Sequence, residues 1–288
     1  MSPVLIVGCG DIGRRVAALC RREGTEVHGL VRRPDQGAAL SAVDIQPIIA
    51  DLDRPGSAYP LPVEGARVFY CAPPPTEGDT DPRMRGFLDG LMEQRAERIV
   101  YISTSGVYGD CGEAWITEDQ PVAPRTPRAR RRLDAEQALQ RWGAAHGVPV
   151  VILRVPGIYG PGRLPAQRIR RGLPVLDPSE SPFTNRIHAD DLARACVLAA
   201  QRGVPGEVYH ASDGKPTTMT DYFFRVADLL GLPRPPVVSR AEAQRVLSAE
   251  LLSYLNESRR LDNRKLRTGL GLDLVYPDLE SGLRSCRR

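Results

Sequence analysis

A glycine-rich turn between an apolar segment and an amphipathic segment constrains this chain more than any other feature. Val4–Val7 is a continuous apolar run, which predicts a strand buried on both faces of a parallel sheet. Gly8, Gly10 and Gly13 follow as G-x-G-x-x-G, and apolar residues then recur at helical spacing from Ile12. In this context the glycines permit a tight turn, close approach of a pyrophosphate and packing of helix on strand. The turn therefore predicts a dinucleotide site at a helix N-terminus, with a purely structural turn as the alternative.

Predicted strands alternate with helical patterns along the chain, which indicates an α/β fold with a parallel, doubly wound sheet and right-handed crossovers. Strands are expected at residues 4–7, 26–31, 45–50, 66–72, 98–103, 149–155 and 207–211. Helices are expected at residues 128–146, 166–171, 190–201, 220–230 and 240–254. A further helix is expected at 83–95, with one apolar face formed by Met84, Phe87, Leu88, Leu91 and Met92.

The distribution of these elements divides the chain into two predicted regions. Residues 1–155 with about 186–211 carry the alternating pattern and are expected to form a Rossmann-type NAD(P)-binding domain. Residues 156–185 and 212–288 contain shorter elements, many of them separated by Pro and Gly. We expect them to form a smaller, discontinuous substrate-binding region over the carboxyl edge of the sheet, where ligands of open α/β sheets bind.

Composition narrows the classes of partner. No segment approaches the ~18 apolar residues of a membrane span, and no signal sequence is apparent, so we expect a cytoplasmic protein without a membrane partner. The six cysteines are scattered without C-x-x-C spacing, so no metal is expected. The net charge of +4 is mild, and no nucleic-acid partner is expected. Lys215 and Lys265 are the only lysines, so an arginine does not by itself indicate a function in this chain.

The choice of dinucleotide depends on the end of the second predicted strand. An acidic residue there binds the ribose 2′-OH and selects NAD, but this chain has Arg32 and Arg33 after Val31. Because a guanidinium fork matches a 2′-phosphate, we expect NADP, with NAD as the alternative if both arginines are solvated. Asp51 is expected to accept from the adenine amino group, or else to be a turn residue. Further cofactor contacts are expected at Asp11, Ile12, Leu52, Ala72, Pro73, Ser103 and Pro156.

Three later segments carry a resemblance to a known family. They are residues 100–109 (VYISTSGVYG), 153–162 (LRVPGIYGPG) and 185–193 (NRIHADDLA). In this order, with the glycine turn and the Asp51-Leu52-Asp53 turn, the chain resembles the extended short-chain dehydrogenases/reductases of the NAD(P)-dependent epimerase/dehydratase family. The resemblance covers most of the chain and implies an NAD(P) cofactor and an oxidoreductase or epimerase activity. It also implies a homodimer formed through the helices at 83–95 and 128–146.

The resemblance fails at the residues that carry the family's proton chemistry. In the family a Ser or Thr works with a Tyr-x-x-x-Lys pair, in which the Tyr is the general acid/base and the Lys binds the nicotinamide ribose. Thr104 matches the Ser/Thr position, whereas Arg128 and Arg132 stand at the Tyr and Lys positions. Because an Arg stays protonated near neutral pH, it cannot relay a proton. The chain therefore resembles an atypical member, and the usual mechanism is not expected.

Arginines crowd the predicted helix that begins at Arg128. Positive charge at a helix N-terminus is unfavourable, and i,i+4 pairs of Arg130 with Asp134 and Arg132 with Glu136 are expected to offset part of this cost. A local cost of this kind marks a functional site. Arg128 is therefore predicted to bind a carboxylate or phosphate of the substrate, with an exposed, solvated helix end as the alternative.

Tyr108, Tyr159 and His188 are further candidates for proton transfer or substrate contact, because each lies in a family-like loop near the expected cleft. Tyr108 is the preferred proton donor because it follows Thr104 by one loop turn, and packing is its alternative role. Tyr159 and His188 are expected to contact the substrate, with a structural hydrogen-bonding role as the alternative for His188. An aspartate at 190 or 191 is expected to cap the next helix.

Two functions are consistent with these observations. The first is an NADP-linked oxidoreductase or epimerase-like enzyme on a small carbonyl or sugar-like substrate, with Thr104 polarising the carbonyl. The second is a non-catalytic NAD(P)-binding protein that senses the cofactor or holds a partner. The glycine turn fits both functions. The missing Tyr and Lys favour the second, whereas Thr104 and the substrate-side loops favour the first.

Overall fold

Seven parallel strands form the central sheet of the computed structural model, which describes residues 2–54, 61–91 and 94–287. In chain order they are β1 (Val4–Val7), β2 (Val27–Val31), β3 (Gln46–Ile49), β4 (Arg67–Tyr70), β5 (Arg98–Thr104), β6 (Val150–Val155) and β7 (Val208–His210). Their spatial order is β7-β6-β5-β4-β1-β2-β3. Val4 of β1 pairs with Val27 of β2 on one side and Arg67 of β4 on the other. Because the strand order reverses beside β1, a crevice opens there at the carboxyl ends of the strands.

Helices cover both faces of the sheet and build the C-terminal part of the chain. The described residues form α1 (Asp11–Arg22), α2 (Pro34–Ser41), α3 (Pro82–Gly90), α4 (Pro127–His146), α5 (Ala166–Arg170), α6 (Ala189–Arg202), α7 (Met219–Leu230), α8 (Arg240–Val246), α9 (Ala249–Leu255), α10 (Arg264–Leu270) and α11 (Leu279–Arg284). No described helix is long and apolar enough to cross a membrane.

The first strand shows why the sheet is buried on both sides. Val4 and Ile6 pack in one apolar layer with α1 and α6, whereas Leu5 and Val7 pack in a second layer with α3 and α4. Successive side chains of a strand point to opposite faces, so a strand that is covered on both faces must be apolar throughout. The continuous apolar run of β1 therefore has a direct physical cause, and the α/β fold of Rossmann type is confirmed.

Local sequence sets the bounds of α4. The Oγ1 of Thr126 accepts a hydrogen bond from the Ala129 amide at 3.3 Å, and Pro127 occupies the first helical position. Gly147 ends the helix with a φ of 67°, a conformation that glycine adopts without strain. The helix predicted at 128–146 is thereby confirmed to within one residue.

The ion pairs expected within α4 are wrong. Arg130 pairs instead with Asp79 at 2.9 Å, and Asp134 pairs with Arg85 and accepts from a backbone amide. Arg132 also has partners other than the expected glutamate, as described below. Tertiary neighbours displace the intrahelical pairs because an exposed i,i+4 pair contributes only about 0.2–0.5 kcal/mol.

Three other expectations about the helices need correction. Helix α2 was not expected, and its N-terminus is marked by Pro34 at the first helical position. Helix α3 ends at Gly90 rather than at 95, and Met92 lies outside the described residues. The single helix expected at 240–254 is two helices, because Leu247 is extended and the Oγ of Ser248 caps α9.

Short strand pairs organise the C-terminal part of the chain. Gly157–Tyr159 pairs in parallel with Arg186–His188, and Phe183–Thr184 pairs antiparallel with Thr217–Thr218. Separate apolar clusters also form there, one around Tyr159, Phe223 and Leu279 and another around Leu176 and Ala243. The strand pairing connects segments that were expected in different regions, and the proposed division into two domains stays a prediction.

Candidate functional site

The first cavity, of about 530 Å³, opens at the carboxyl ends of β1, β2, β3 and β4. Its lining includes the glycine turn and the residues that follow each of these strands. Among the predicted cofactor contacts it brings together Gly8, Gly10, Arg32, Asp51, Leu52, Ala72 and Pro73. The cavity thus gathers residues that are far apart in sequence at the crevice beside β1.

The three glycines of the turn have different environments. Gly8 has a φ of +84°, and a Cβ on it would lie 2.6 Å from the backbone nitrogen of Ala72. A Cβ on Gly13 would lie 2.9 Å from Cγ2 of Ile6, which explains how α1 packs closely on β1. A Cβ on Gly10 would meet no atom within 4 Å. Gly8 and Gly13 are therefore required by packing, whereas Gly10 leaves open space at the N-terminus of α1, and the binding of a pyrophosphate there stays a prediction.

The two arginines after β2 are placed differently. Arg32 lines the first cavity and, within the described part of the chain, makes no ion pair or hydrogen bond. Arg33 is exposed and is held by Asp35 through contacts of 3.0 and 3.1 Å. The Asp35 carboxylate has a lowered pKa because of this hydrogen bonding. Of the pair, Arg32 therefore reaches the cavity and its contact with a 2′-phosphate stays a prediction, whereas the expected contact of Arg33 is not supported by its placement.

Other predicted cofactor residues lie outside the first cavity. The Asp11 carboxylate is shared by Arg15 at 3.1 Å and Arg163 at 2.8 Å, and Ile12 is buried in the apolar layer beneath α1. Ser103 is buried and donates its hydroxyl to Glu136. These side chains support the turn and the sheet rather than the cavity wall.

A second cavity, of about 210 Å³, lies at the carboxyl ends of β5 and β6. The sheet side contributes Thr104, Ser105, Gly106, Arg128, Pro156 and Gly157, and the C-terminal part contributes Phe183, Thr184, Asn185, Arg186, Met219, Tyr254, Glu257 and Arg259. Three arginines and one glutamate line it, which gives a net charge of +2. Among the described residues, no cluster of His, Cys, Asp and Glu could hold a metal ion.

Thr104 is the last residue of β5 and caps a 3₁₀ turn, Ser105–Tyr108. Its Oγ1 accepts a hydrogen bond from the Gly106 amide at 3.2 Å. A hydroxyl that accepts in this way keeps its own proton to donate. Thr104 is therefore positioned to donate a hydrogen bond to an oxygen in the second cavity.

Arg128 is not a solvated helix end. Its Nη1 donates to the Oγ of Ser253 at 2.9 Å, and its Cζ lies 3.7 Å from the centre of the Tyr254 ring. These contacts join the start of α4 to α9 across the second cavity. The expectation that Arg128 faces the cleft agrees with this placement, and its binding of an anion stays a prediction.

Arg132 lines neither cavity. Its Nη1 donates to the carbonyl of Ile102 at 2.7 Å and to the hydroxyl of Tyr101 at 3.2 Å. Burial raises the pKa of Tyr101 to about 12 in spite of this guanidinium. Arg132 thus fastens α4 to β5, while Glu136 instead binds Arg154 with a shortest contact of 2.8 Å.

Tyr108 is buried beneath the turn and lines neither cavity. Its hydroxyl accepts from Nη1 of Arg154 at 2.8 Å and lies 2.6 Å from Nε2 of His210. The Nδ1 of His210 lies 2.9 Å from the Asp262 carbonyl, so Nδ1 donates and Nε2 accepts the phenolic proton. Burial raises the pKa of Tyr108 to about 12 and lowers that of His210 to about 4. This placement contradicts the expectation that Tyr108 donates a proton to substrate.

Tyr159 and His188 are also structural in their contacts. Tyr159 is buried and donates to a backbone carbonyl at 3.1 Å. The Nδ1 of His188 accepts from the Asp190 amide at 3.2 Å, and its Nε2 lies 3.1 Å from Oγ of Ser285. Burial lowers the pKa of His188. His188 itself, rather than an aspartate at 190 or 191, therefore caps α6, and neither ring reaches the second cavity.

The sequence analysis named Thr104, Arg128 and Pro156 as site residues but missed the other residues of the second cavity, among them Arg186, Tyr254, Glu257 and Arg259. Arg186 lies in a family-like segment, where a charged residue within a short buried strand was a usable signal. Tyr254, Glu257 and Arg259 lie in a segment without any motif, and nothing in their spacing indicates a site. They reach the cavity because the C-terminal chain folds back over β5 and β6.

The sheet order and the glycine turn define an α/β protein of Rossmann type. Residues 84–212 match the family model for the NAD dependent epimerase/dehydratase family. The solved structure of a functionally unknown conserved protein from Silicibacter pomeroyi is 29% identical, with a TM-score of 0.85 over 100% of this chain and 98% of that one. The family match covers 129 of the 288 residues, so the chain is similar to that family over this segment, and it shares the fold of the Silicibacter pomeroyi protein over its whole length.

Other relatives are more distant or match only part of the chain. A dTDP-glucose 4,6-dehydratase from Streptomyces niveus is 34% identical, over 46% of this chain and 41% of that enzyme. A 3-diazoavenalumate denitrifying reductase from a Streptomyces species is 26% identical, over 97% of this chain and 98% of that protein. MoeE5, solved with UDP-glucose and NAD, is 23% identical, with a TM-score of 0.77 over 99% of this chain and 97% of that one. At this identity, the similarity to MoeE5 shows only that the two proteins share a fold.

Proposed function

We propose that this protein is an NADP-linked oxidoreductase or epimerase-like enzyme that acts on a small, anionic carbonyl or sugar-like substrate. The observation that carries the proposal is the presence of two cavities at the carboxyl edge of one sheet. Gly10 and Arg32 line the first, and Thr104 and Arg128 line the second. A nicotinamide supplies hydride chemistry when it is bound, whereas the protein supplies binding, orientation and electrostatics.

The first cavity would hold the dinucleotide through the chain's own residues. The N-terminus of α1 beside Gly10 would bind the pyrophosphate, Asp51 would accept from the adenine amino group, and Arg32 would pair with a 2′-phosphate. MoeE5 was solved with NAD, which supports a dinucleotide in this fold. The preference for NADP over NAD depends on Arg32.

The size of the second cavity favours a small substrate. Its volume of about 210 Å³ lies below the roughly 300–1,000 Å³ of cavities that hold drug-sized ligands. A sugar nucleotide of the kind that MoeE5 binds is larger than a drug-sized ligand and would not fit in this cavity. The Thr104 hydroxyl would donate to the carbonyl oxygen, and Arg128 would stabilise negative charge that develops there. The net positive lining favours a substrate that carries an anionic group.

A proton carrier is also needed in this cavity, because neither Arg128 nor buried Tyr108 can serve. Glu257 lines the cavity and is 8% exposed, and its Oε1 has no hydrogen-bond partner within the described residues. Its other oxygen is paired with Arg259. A carboxylate oriented in this way by a guanidinium is the group that we propose takes and returns the substrate proton.

A non-catalytic NADP(H) sensor is the second candidate. Arg132, which stands at the position of the family's Lys by resemblance, is tied to the Ile102 carbonyl and lines neither cavity. A protein of this kind would bind the dinucleotide and respond to it without turnover. A partner protein, rather than a small substrate, would then use the surface around the second cavity.

Cofactor titration followed by a turnover assay separates these functions. We expect NADPH to bind more tightly than NADH, and small aldehydes and ketones that carry a carboxylate or phosphate to consume NADPH, measured by its absorbance. Thr104→Val and Glu257→Gln are expected to lower kcat by 10-fold or more while the Kd for NADPH stays unchanged. Tight binding of NADPH without turnover of any compound would favour the sensor. Failure to bind either dinucleotide would refute both functions.

A further inference from the structure

Arg186 is a buried cation whose hydrogen-bonding capacity is largely unused. The residue is 7% exposed, and its Cζ lies 3.7 Å from the centre of the Tyr222 ring. One terminal nitrogen reaches the carbonyl of Asn185 at 3.4 Å, and the other reaches the sulfur of Met219 at 4.0 Å. The Nε has no partner within the described residues. A guanidinium has five N–H donors, so two contacts at the limit of hydrogen-bond distance leave most of them unused.

No carboxylate neutralises this guanidinium at close range. Within the described part of the chain, Arg186 has no salt bridge, although the negative charge of Asp213 favours the charged form of Arg186 from a longer distance. Burial lowers the pKa of Arg186 and raises that of Asp213 to about 7, so Asp213 is only partly ionised near neutral pH. A buried charge without a close counterion is destabilising, and proteins retain such groups where a function requires them.

The terminal nitrogens of the guanidinium contact residues that line the second cavity. Arg186 belongs to the cavity lining. A Cβ at Gly157 would lie 3.0 Å from Nη1 of Arg186, so the absence of a side chain at Gly157 keeps the space beside this nitrogen open. The other two arginines of the lining already have partners. Arg128 donates to Ser253, and Arg259 is paired with Glu257. Arg186 is thus the arginine of this lining whose contacts all lie at the limit of hydrogen-bond distance.

We propose that Arg186 anchors an oxyanion of the substrate, a carboxylate or a phosphate, in the second cavity. A guanidinium fork binds either group through two parallel hydrogen bonds, and an enclosed site of low dielectric strengthens them. The anchored end would lie against Arg186, with the remainder of the molecule directed to Thr104. The inference rests on the proposed function, because it treats this cavity as the substrate site. Binding of the anion can nevertheless be measured without turnover.

Arg168 provides a matched control. It is a second arginine stacked on an aromatic ring, with its Cζ 4.5 Å from the centre of Phe223 and a buried Nε without a partner among the described residues. Burial lowers its pKa as well. It lines neither of the two cavities. Removing Arg168 therefore reproduces the loss of a stacked, desolvated guanidinium without altering the proposed site.

Isothermal titration of the full chain with inorganic phosphate and with malonate tests the inference. Both probes are titrated with and without saturating NADPH, and the preferred probe indicates a phosphate or a carboxylate substrate. Arg186→Met is expected to weaken binding of the preferred anion at least 10-fold, Arg186→Lys to weaken it less, and Arg168→Met to leave it unchanged. Because the Arg186→Met change removes a buried charge in favour of an apolar chain, its Tm is expected to equal or exceed that of the wild type.

Several results would overturn the inference. These are absence of anion binding by the wild type, unchanged binding by Arg186→Met, and equal losses in the Arg186 and Arg168 variants. Loss of anion binding when NADPH is saturating would show that the cofactor's own phosphate uses Arg186. Should Arg186→Met not fold, the Lys variant decides, because it keeps the charge but not the fork. Turnover of neutral carbonyl compounds without anion binding would leave the proposed function intact and refute only Arg186 as an anchor.

Discussion

Gly8 and Gly10 are two residues apart in one turn, yet an added methyl group is predicted to have opposite effects. At Gly8, where φ is +84°, the new Cβ would lie 2.6 Å from the nitrogen and 2.7 Å from the Cα of Ala72. These are backbone atoms of the chain leaving β4, and the amide of Cys71 is held by Val7 at 2.8 Å. At Gly10 no atom lies within 4 Å of the new Cβ. Gly8→Ala therefore perturbs folding, whereas Gly10→Ala perturbs the cofactor site.

These distances set the expected changes in the free energy of unfolding and in the Kd for NADPH. Left-handed backbone costs an alanine about 1–2 kcal/mol, and overpacking adds about 1–3 kcal/mol, so Gly8→Ala should lower the free energy of unfolding by roughly 2–5 kcal/mol. Gly10→Ala has neither cost and should stay within about 1 kcal/mol of the wild type. Its methyl group, however, would occupy space that a pyrophosphate approaches. A 10-fold rise in the Kd for NADPH corresponds to about 1.4 kcal/mol and is the minimum expected.

Urea unfolding followed by circular dichroism gives the stabilities, and NADPH titration by fluorescence gives the affinities. Gly86→Ala serves as the control, because its Cβ also meets no atom within 4 Å and it lies in α3 away from the turn. The reasoning about crowding is refuted if Gly8→Ala unfolds at the same urea concentration as the wild type. The placement of the pyrophosphate is refuted if folded Gly10→Ala binds NADPH with the wild-type Kd.

Three further predictions concern single side chains. Arg32→Ala should raise the Kd for NADPH about 10-fold without changing that for NADH, whereas Arg33→Ala should change neither. His210 has a folded-state pKa of about 4, below its ordinary 6.5, so the stability it contributes above pH 6.5 is lost as the pH falls toward 4. The loss is about 1.4 kcal/mol per pH unit, and urea unfolding at pH 7 and pH 5 should show a smaller difference for His210→Asn than for the wild type. Asp213 has a raised pKa of about 7, so its burial penalty grows as pH rises from 4 to 7, and Asp213→Asn should stabilise more at pH 8 than at pH 5.

For each of these three predictions, one result would contradict the reasoning. Equal loss of NADPH and NADH affinity in Arg32→Ala would place that side chain elsewhere than at a 2′-phosphate. An identical pH dependence of unfolding in His210→Asn and the wild type would mean that His210 is not held neutral by burial. A stabilisation by Asp213→Asn that is greater at pH 5 would reverse the sign assigned to the Asp213 carboxyl.

The sheet and the first cavity could be predicted because their signals are local. A buried parallel strand needs an apolar run of its own, and the phosphate turn needs glycines at fixed spacing within one loop. The strand bounds expected from these signals agree with the structure to within two residues. The break at Leu247 was not predictable, since a single Ser cap interrupts a pattern that otherwise continues as a helix.

The second cavity depends on contacts between distant parts of the chain. Thr104 was found through a family resemblance, but Glu257 joins it from about 150 residues further along the chain, with no motif around it. Glu257 was missed by the sequence analysis, whereas Tyr108 was placed in the site wrongly. Its position one turn after Thr104 suggested a place in the cleft, but the 3₁₀ turn directs the ring inward to Arg154 and His210. Spacing along the chain does not specify the direction of a side chain in such a turn.

The sequence by itself determined the class of fold and the position of the glycine turn, and it drew attention to Arg128 and Arg132. It could not separate those two arginines, which lie four residues apart on one helix. Tertiary structure placed Arg128 beside Tyr254 in the second cavity and tied Arg132 to the carbonyl of Ile102 in β5. The physical reason is that an arginine takes its role from the groups that satisfy its donors, and here those groups come from other elements of the fold.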